Sequence, residues 1–391
     1  MKLRDRFQRR MARIYLRYVS MLFCGITAIC LTFKRSEKKP EKRLLVLKPD
    51  AIGDYILFRN FLVLLRQSNK YRDYQIAFCG NSAYREFAIH FDSDTADHFL
   101  WIDKNRIYWD LLYYIRFALS LHQHYTVTLH ASRSREFIFD YFAKISGIRE
   151  RIAPEGDTVN ILSPYKKITD GWYTRLIPCG NASSFEFDAN RQFFELFLDQ
   201  AISLRKPFLI NKPYDGSDLP DLPGNFIALF PGAQLPFRRW NTSNFAAVCN
   251  YLRQNYPLEI VILGGKSDQK LAHEIIRSSD DHVIDLTGKT HLIQLPEVIA
   301  KARLLITNDT MAAHIGVVLD IPTLVISQMN HYGRFVPYPK EIADKMVCVI
   351  PLAFKKYEEQ VLAEKFRLGS EVDINLITVN QVKRAVDQLL N

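Results

Sequence analysis

The sequence predicts an α/β protein of two doubly wound domains preceded by a basic, apolar N-terminal segment. Three observations carry this. From residue 43 onward, short apolar runs alternate with longer amphipathic stretches, the pattern of parallel strands joined by crossover helices. The alternation breaks once, at 211–224 (NKPYDGSDLPDLPG), where Pro, Gly and Asp disfavour helix and strand alike. Before residue 43 a charge-free run lies between two basic clusters. The expected organisation is therefore a membrane-associating segment at 1–42, a Rossmann-like domain at 43–210, a linker at 211–224 and a second Rossmann-like domain at 225–391.

The charge-free run is 18–33 (YVSMLFCGITAICLTF), with Arg9, Arg10, Arg13 and Arg17 before it and Lys34, Arg35, Lys38 and Lys39 after it. It is shorter than the roughly 20 residues of a full span, although a run from Ile14 reaches that length if Arg17 snorkels. An anchor that spans the bilayer or lies in its interface fits better than a cleaved signal peptide, because no A-x-A-like site follows, and better than a buried core helix. Residues 1–43 hold 13 Lys or Arg against 3 Asp or Glu, which accounts for the whole net charge of +10. The rest of the chain is neutral, so a membrane surface rather than nucleic acid is the expected partner. The six cysteines show no CxxC pair, which points to neither a zinc site nor a disulfide framework and fits a reducing compartment.

In the first domain strands are expected at 44–47, 75–79, 98–102 and 125–129, with helices at 54–67, 81–90, 106–121 and 134–146. Residues 151–184 read as irregular, and a further helix is expected at 187–204. In the second domain the strands fall at 226–230, 259–263, 283–285, 304–307 and 323–326, and the helices at 242–254, 268–278, 292–301 and 311–319. Doubly wound sheets bind ligands at the carboxyl ends of their strands, so two halves facing a cleft would place the active site there.

Four motifs carry chemistry. In Leu44-Leu45-Val46-Leu47-Lys48-Pro49-Asp50-Ala51-Ile52-Gly53-Asp54 a buried strand runs into a glycine turn and a helix that opens on an acid. Asp54 is either a reactive carboxylate at the strand's carboxyl end or simply a helix cap, with Gly53 supplying a positive φ. Phe230-Pro231-Gly232-Ala233-Gln234-Leu235-Pro236-Phe237-Arg238-Arg239-Trp240 places two arginines in a loop after a strand, a pair suited to clamping a diphosphate. One of them could instead be solvated or stack on Trp240. In Val261-Ile262-Leu263-Gly264-Gly265-Lys266-Ser267-Asp268 two glycines let a ligand reach the backbone, or merely make a tight turn. Leu304-Leu305-Ile306-Thr307-Asn308-Asp309-Thr310-Met311-Ala312-Ala313-His314 leads a strand into a capping sequence, so that a helix N-terminus with free N–H groups becomes an anion site. His314 lies one turn beyond Thr310 on the same face. Asp92-Ser93-Asp94 looks like a metal-binding DxD but sits in a short polar stretch of the first domain and is discounted. No G-x-G-x-x-G follows any strand, which weakens a nicotinamide or flavin reading.

Taken in order with Leu286-Thr287-Gly288-Lys289-Thr290, these motifs resemble those of the heptosyltransferases, glycosyltransferase family 9, over residues 43–340. The resemblance implies a GT-B fold and an inverting transfer that needs no metal or other cofactor. It implies ADP-heptose or a related sugar nucleotide as donor, and as acceptor a lipid-linked or lipopolysaccharide-type cell-surface glycan at the cytoplasmic face of a bacterial inner membrane. By it, Asp54 corresponds to the catalytic base, with Lys48, Asp50 and Gly53 beside the acceptor. Gly232, Arg238, Arg239, Gly264, Gly265, Lys266, Asn308, Asp309, Thr310 and His314 correspond to the donor site, Arg238 standing where the family often has a lysine. Met311 stands where the family often has Gly, and the loop Gln328-Met329-Asn330-His331-Tyr332 lacks the usual Phe-Gly-Pro run. An inactive sugar-nucleotide-binding membrane scaffold is the alternative; it would keep the helix N-terminus without needing Asp54.

Overall fold

The computed structural model describes residues 18–33, 41–180, 184–210, 212, 219–279 and 283–391. Residues 211 and 213–218, half of the linker expected at 211–224, and residues 1–17 and 34–40 of the N-terminal segment lie outside the described residues. The chain divides into two compact units, one of Met1–Tyr55, Arg59–Cys179 and Asn190–Ile202, the other of Ile56–Phe58, Gly180–Ala189 and Ser203–Asn391.

The first part of the chain opens with a helix over residues 18–32, α1. It continues through β1 (Arg43–Lys48), α2 (Ile52–Ile56), α3 (Asn60–Gln67), β2 (Gln75–Asn81), α4 (Arg85–Asp92), β3 (His98–Ile102) and α5 (Leu111–Leu121). Then come β4 (Tyr125–His130), α6 (Phe137–Ser146), β5 (Gly147–Pro154), α7 (Ser163–Asp170), β6 (Arg175–Ile177) and α8 (Glu186–Leu198). Its six strands run parallel in the order β3-β2-β1-β4-β5-β6. β4 is buried along its whole length, and β1 at every residue after Arg43, as expected of strands covered on both faces. The core packs Leu45, Leu47, Cys79, Tyr114 and Phe142 together with Phe23 and Cys24 of α1.

Sequence and structure differ here in two instructive places. The helix expected at 54–67 is broken at residues 57–59 into α2 and α3. Asp92 explains the break: it accepts hydrogen bonds from the Tyr55 hydroxyl at 2.7 Å and from Arg59 Nε at 2.9 Å, which fixes the turn from within. That commitment is also what occupies the first acid of the DxD-like stretch. Residues 151–184, expected to be irregular, contain β5, α7 and β6. β5 (GIRERIAP) carries charges along a half-exposed strand and β6 is three residues long, so neither gives an apolar run to read.

The second part comprises β7 (Phe226–Phe230), α9 (Thr242–Asn255), β8 (Glu259–Ile262), α10 (Gln269–Arg277), β9 (Ile284–Asp285), α11 (Leu295–Ala300) and β10 (Leu304–Asn308). α12 (Met311–Val318), β11 (Thr323–Ile326), β12 (Met346–Val349), α13 (Glu359–Phe366) and α14 (Val379–Leu390) complete it. The strands are again parallel, in the order β12-β11-β10-β7-β8-β9. Read from the middle outward, the two orders are the same, and each reverses direction between its first and fourth strands. Those switch points, β1 with β4 and β7 with β10, are where open α/β sheets present a crevice for ligands. Every catalytic and acceptor candidate lies at or just after the end of β1. The donor candidates lie at or just after the ends of β7 and β10, except the Gly264–Lys266 turn after β8.

Close packing holds α12 at its switch point. Gly316 sits so tightly on the sheet that a β-carbon there would run into the Thr323 hydroxyl and come within 2.9 Å of Leu305 Cδ2. Gly316→Ala is therefore expected to destabilise the protein by about 1–3 kcal/mol, measured as a lower urea midpoint at unchanged slope.

Candidate functional site

In the second unit the site is built on Asn308, the last residue of β10. Its side chain is fully buried, and its Nδ2 donates to the Pro231 carbonyl at 2.7 Å while its Oδ1 accepts from the Trp240 amide at 3.3 Å. Both ends of the loop after β7 are thereby tied to the end of β10. Trp240 adds a second lock, donating its indole N–H to the Ile377 carbonyl at 2.9 Å. Between these ties, Arg239 Nε donates to the Ala233 carbonyl at 2.7 Å, and Arg238 is turned toward Asp309, Nη2 to Oδ2 at 3.3 Å. The Nε of Arg238 is buried with no hydrogen-bond partner among the described residues, so this half-buried guanidinium retains donor capacity.

Asp309 is itself buried, and burial pushes its carboxyl above the usual range against the pull of Arg238, His331 and a hydrogen bond from Ser327. The next residue, Thr310, caps α12 by accepting from the Ala312 amide at 3.3 Å. α12 therefore starts beside Arg238, and the two positive features converge: a helix N-terminus with its dipole and a guanidinium. His314 lies in the same helix but faces inward. It is 4% exposed, its Nδ1 is 2.7 Å from the Tyr338 hydroxyl, and burial together with Arg238 pushes its pKa down to about 4. A neutral ring so placed supports the helix and adds no charge to the anion site.

The glycine candidates divide. A β-carbon on Gly232 would stand 2.6 Å from the Asp268 carboxylate carbon, and one on Gly264 would lie 3.0 Å from Asp268 Cβ. Their bareness makes room for Asp268, which accepts from the Gly265 amide at 3.0 Å and closes the turn after β8. Gly265 and Lys266 remain exposed at that turn and open to a ligand.

The first unit assembles a second polar group at its own switch point. Lys48 is fully buried and points at Asp50, Nζ to Oδ2 at 2.8 Å, while Ser132, after β4, donates to the same oxygen at 2.6 Å. Burial opposes the charge on Asp50, but Lys48, Ser132 and the more distant Lys104 hold its carboxyl below the usual range. Asn81 donates to the Asp50 carbonyl at 3.1 Å, and Tyr84 donates to the Lys48 carbonyl. The loop leading to Gly53 and Asp54 is thus clamped from both neighbouring strands. Lys48 serves that clamp from inside, whereas Gly53 and Asp54 are half-buried at the start of α2. Lys104 pairs with Glu136 at 2.7 Å, and although burial opposes its charge, Glu136, Asp50 and Asp54 together raise its pKa.

Sequence reasoning missed Lys104, Ser132 and Glu136 here, and Ser327, His331 and Tyr338 in the second unit. Ser132 follows a correctly expected strand and could have been found from the switch-point rule. The loop 327–338 gives no pattern, because Met329 and His331 take positive φ values of 67° and 53° without glycine.

The buried neutral His314 carries a pH signature. Its folded pKa lies below the 6.5 of an unfolded chain, so the unfolded state binds the extra proton between those values, and stability is complete above about pH 6.5 and declines as pH falls toward 4. The decline assignable to this residue is roughly 3 kcal/mol, and denaturant titrations from pH 7 to 4 should show a shallower acid limb for His314→Gln than for the natural protein.

With this geometry in place, comparison with known proteins is informative. The sequence profile described as glycosyltransferase family 9 (heptosyltransferase) matches residues 188–362. Lipooligosaccharide heptosyltransferase 2 of Campylobacter jejuni is 34% identical over 122 residues, 30% of this chain and 38% of that protein. The enzyme of the same name from Haemophilus ducreyi is 30% identical over 131 residues, 32% of this chain and 36% of that protein. These alignments span little more than a third of each relative. A family 9 glycosyl transferase structure from Veillonella parvula superimposes with a TM-score of 0.67 at 18% identity, covering 91% of this chain and 99% of that one. The structure titled ADP-heptose lps heptosyltransferase II of E. coli gives 0.60 at 16% identity, covering 89% and 98%. The fold is thus that of the GT-B heptosyltransferases, and within it residues 188–362 carry the sequence likeness to glycosyltransferase family 9, the heptosyltransferase family.

Proposed function

We propose that the chain is an inverting glycosyltransferase that works without a metal, transferring heptose or a related sugar from an ADP-linked donor to lipopolysaccharide or another cell-surface glycan. We place it at the cytoplasmic face of a bacterial inner membrane, with its basic N-terminal segment toward the anionic leaflet. The observation that carries the reading is the convergence of Arg238 with the capped N-terminus of α12 at the β7/β10 switch point. It is a site for a diphosphate, and the E. coli relative named above is titled for an ADP-sugar.

In this reading the acceptor hydroxyl gives its proton to Asp54 as its oxygen attacks the anomeric carbon. The bond from that carbon to the diphosphate breaks, and the nucleoside diphosphate leaves with the electron pair. Arg238, Arg239, Lys266 and the N–H groups at the start of α12 take up the developing charge, the largest electrostatic task of the step. Thr310 and Asn308 hold that helix start and the arginine loop in position. On the acceptor side, Asp50, Lys104 and Gly53 line the approach to Asp54, with the charges of Asp50 and Lys104 compensated by Lys48 and Glu136.

Turnover separates this enzyme from an inactive binder. With an ADP-sugar and a lipopolysaccharide acceptor, Asp54→Asn is expected to lower kcat by about 10²–10⁴-fold while leaving donor affinity within a factor of two or so. An Asp54→Asn protein that releases ADP at the natural rate would remove Asp54 from the mechanism. A natural protein that binds donor but never turns over would favour the scaffold.

A further inference from the structure

α1 packs with an unexpected side toward the protein. Ser20, Phe23, Cys24 and Thr27, at helical spacing, are buried. Phe23 stacks obliquely on Tyr114 with centroids 5.4 Å apart, and Cys24 Sγ lies 3.2 Å from the Tyr114 hydroxyl. The opposite side presents Tyr18, Leu22, Ile29 and Phe33, exposed by 60–83%. The helix therefore turns two hydroxyls inward and four large apolar side chains outward, the reverse of what water selects. Thr27 Oγ1 is buried with no hydrogen-bond partner among the described residues. Met21 continues the apolar face onto the body of the domain, where it rims a shallow pocket with Phe137, Ile161, Leu162 and Tyr165.

Such an orientation is stable when the outer face meets an apolar medium, and the charge of the chain says which one. The 13 Lys or Arg against 3 Asp or Glu in residues 1–43 bracket this helix in sequence, complementary to an anionic bilayer surface and adverse to contact with a second copy carrying the same charge. We propose that α1 is a monotopic docking helix, lying in the headgroup–acyl boundary of an anionic bilayer with Leu22, Ile29 and Phe33 inserted and Phe23 and Cys24 still packed on the protein. A spanning helix would have to give up those core contacts, and no helix among the described residues is long and apolar enough to cross. The inference deepens the proposed membrane-side function and rests on it for its purpose, though not for its physics.

The test is flotation of the full chain with vesicles. The natural protein should float with vesicles of phosphatidylglycerol and phosphatidylethanolamine, bind phosphatidylcholine vesicles far less, and be released by alkaline carbonate. Leu22→Asp/Ile29→Asp should lose about tenfold or more of the anionic-vesicle partition with an unchanged thermal midpoint, since both side chains are exposed. Retention in the carbonate pellet would overturn the proposal in favour of a span. Flotation unaffected by the double substitution, or absent while sedimentation shows a dimer that the substitution dissolves, would overturn it in favour of charge-only binding or self-association. The ADP-induced rise in melting temperature is read on the same samples: its absence counts against the transferase reading alone, whatever the vesicles show.

Discussion

The amide of Asn308 is the constraint on which the candidate donor site depends. One buried side chain, bonded at once to the Pro231 carbonyl and the Trp240 amide, joins the end of one central strand to both ends of the loop after the other. Only a side chain with a donor and an acceptor on one planar group satisfies both partners. An aspartate would lose the donor and bury a charge, and an apolar residue would leave two backbone groups unpaired at a cost of about 1–3 kcal/mol each. Because the loop is fixed in this way, Arg238 is held beside Asp309 rather than free in solvent, and the start of α12 lies next to it. Preorganisation of that kind is what electrostatic stabilisation of a leaving diphosphate requires.

Two sheets of identical strand order solve the same problem with different chemistry. In the first unit the charges at the switch point are mutually compensated, Lys48 with Asp50 and Lys104 with Glu136, so that the loop carrying Asp54 is rigid and its surroundings near neutral. In the second unit the compensation is incomplete: Arg238 has one weak contact to an acid whose charge burial opposes, and a helix dipole adds to it. A base belongs in the first environment and an anion in the second. The likeness of residues 188–362 to the heptosyltransferase profile falls on the second of these environments.

Much of this was legible in the sequence because apolar strands announce their own ends. The strands expected at 44–47, 226–230 and 304–307 formed within a residue or so of the expected bounds, and a residue just past such an end is at a carboxyl edge. Which side chains at that edge reach solvent was not legible. His314 from its spacing, and Lys48 and Asn308 from the family resemblance, are expected at ligand sites; all three are buried and bonded to Tyr338, Asp50 and the arginine loop respectively. Gly264 and Gly265 read either as an opening for a ligand or as a tight turn, and Asp268 packs against Gly264 as it does against Gly232. Spacing gives position along an element; partners across the fold decide direction. Of the elements that escaped, β5, α7, β6 and β12 are short, charged or half-exposed, so periodicity had little to register; α14 buries Val382, Ala385 and Val386 at helical spacing behind the Thr378–Gln381 capping box, a signal the sequence does carry.

The central claim is that the β7/β10 crevice is a nucleoside diphosphate site organised around Arg238. Calorimetric titration of ADP into the full chain and into Arg238→Ala tests it most directly. The account predicts one site per chain with measurable heat, and an affinity at least about tenfold weaker in the variant, in line with a lost charge-assisted hydrogen bond. Equal affinities in the two proteins, or no binding of ADP by a natural protein shown to be folded, would contradict it.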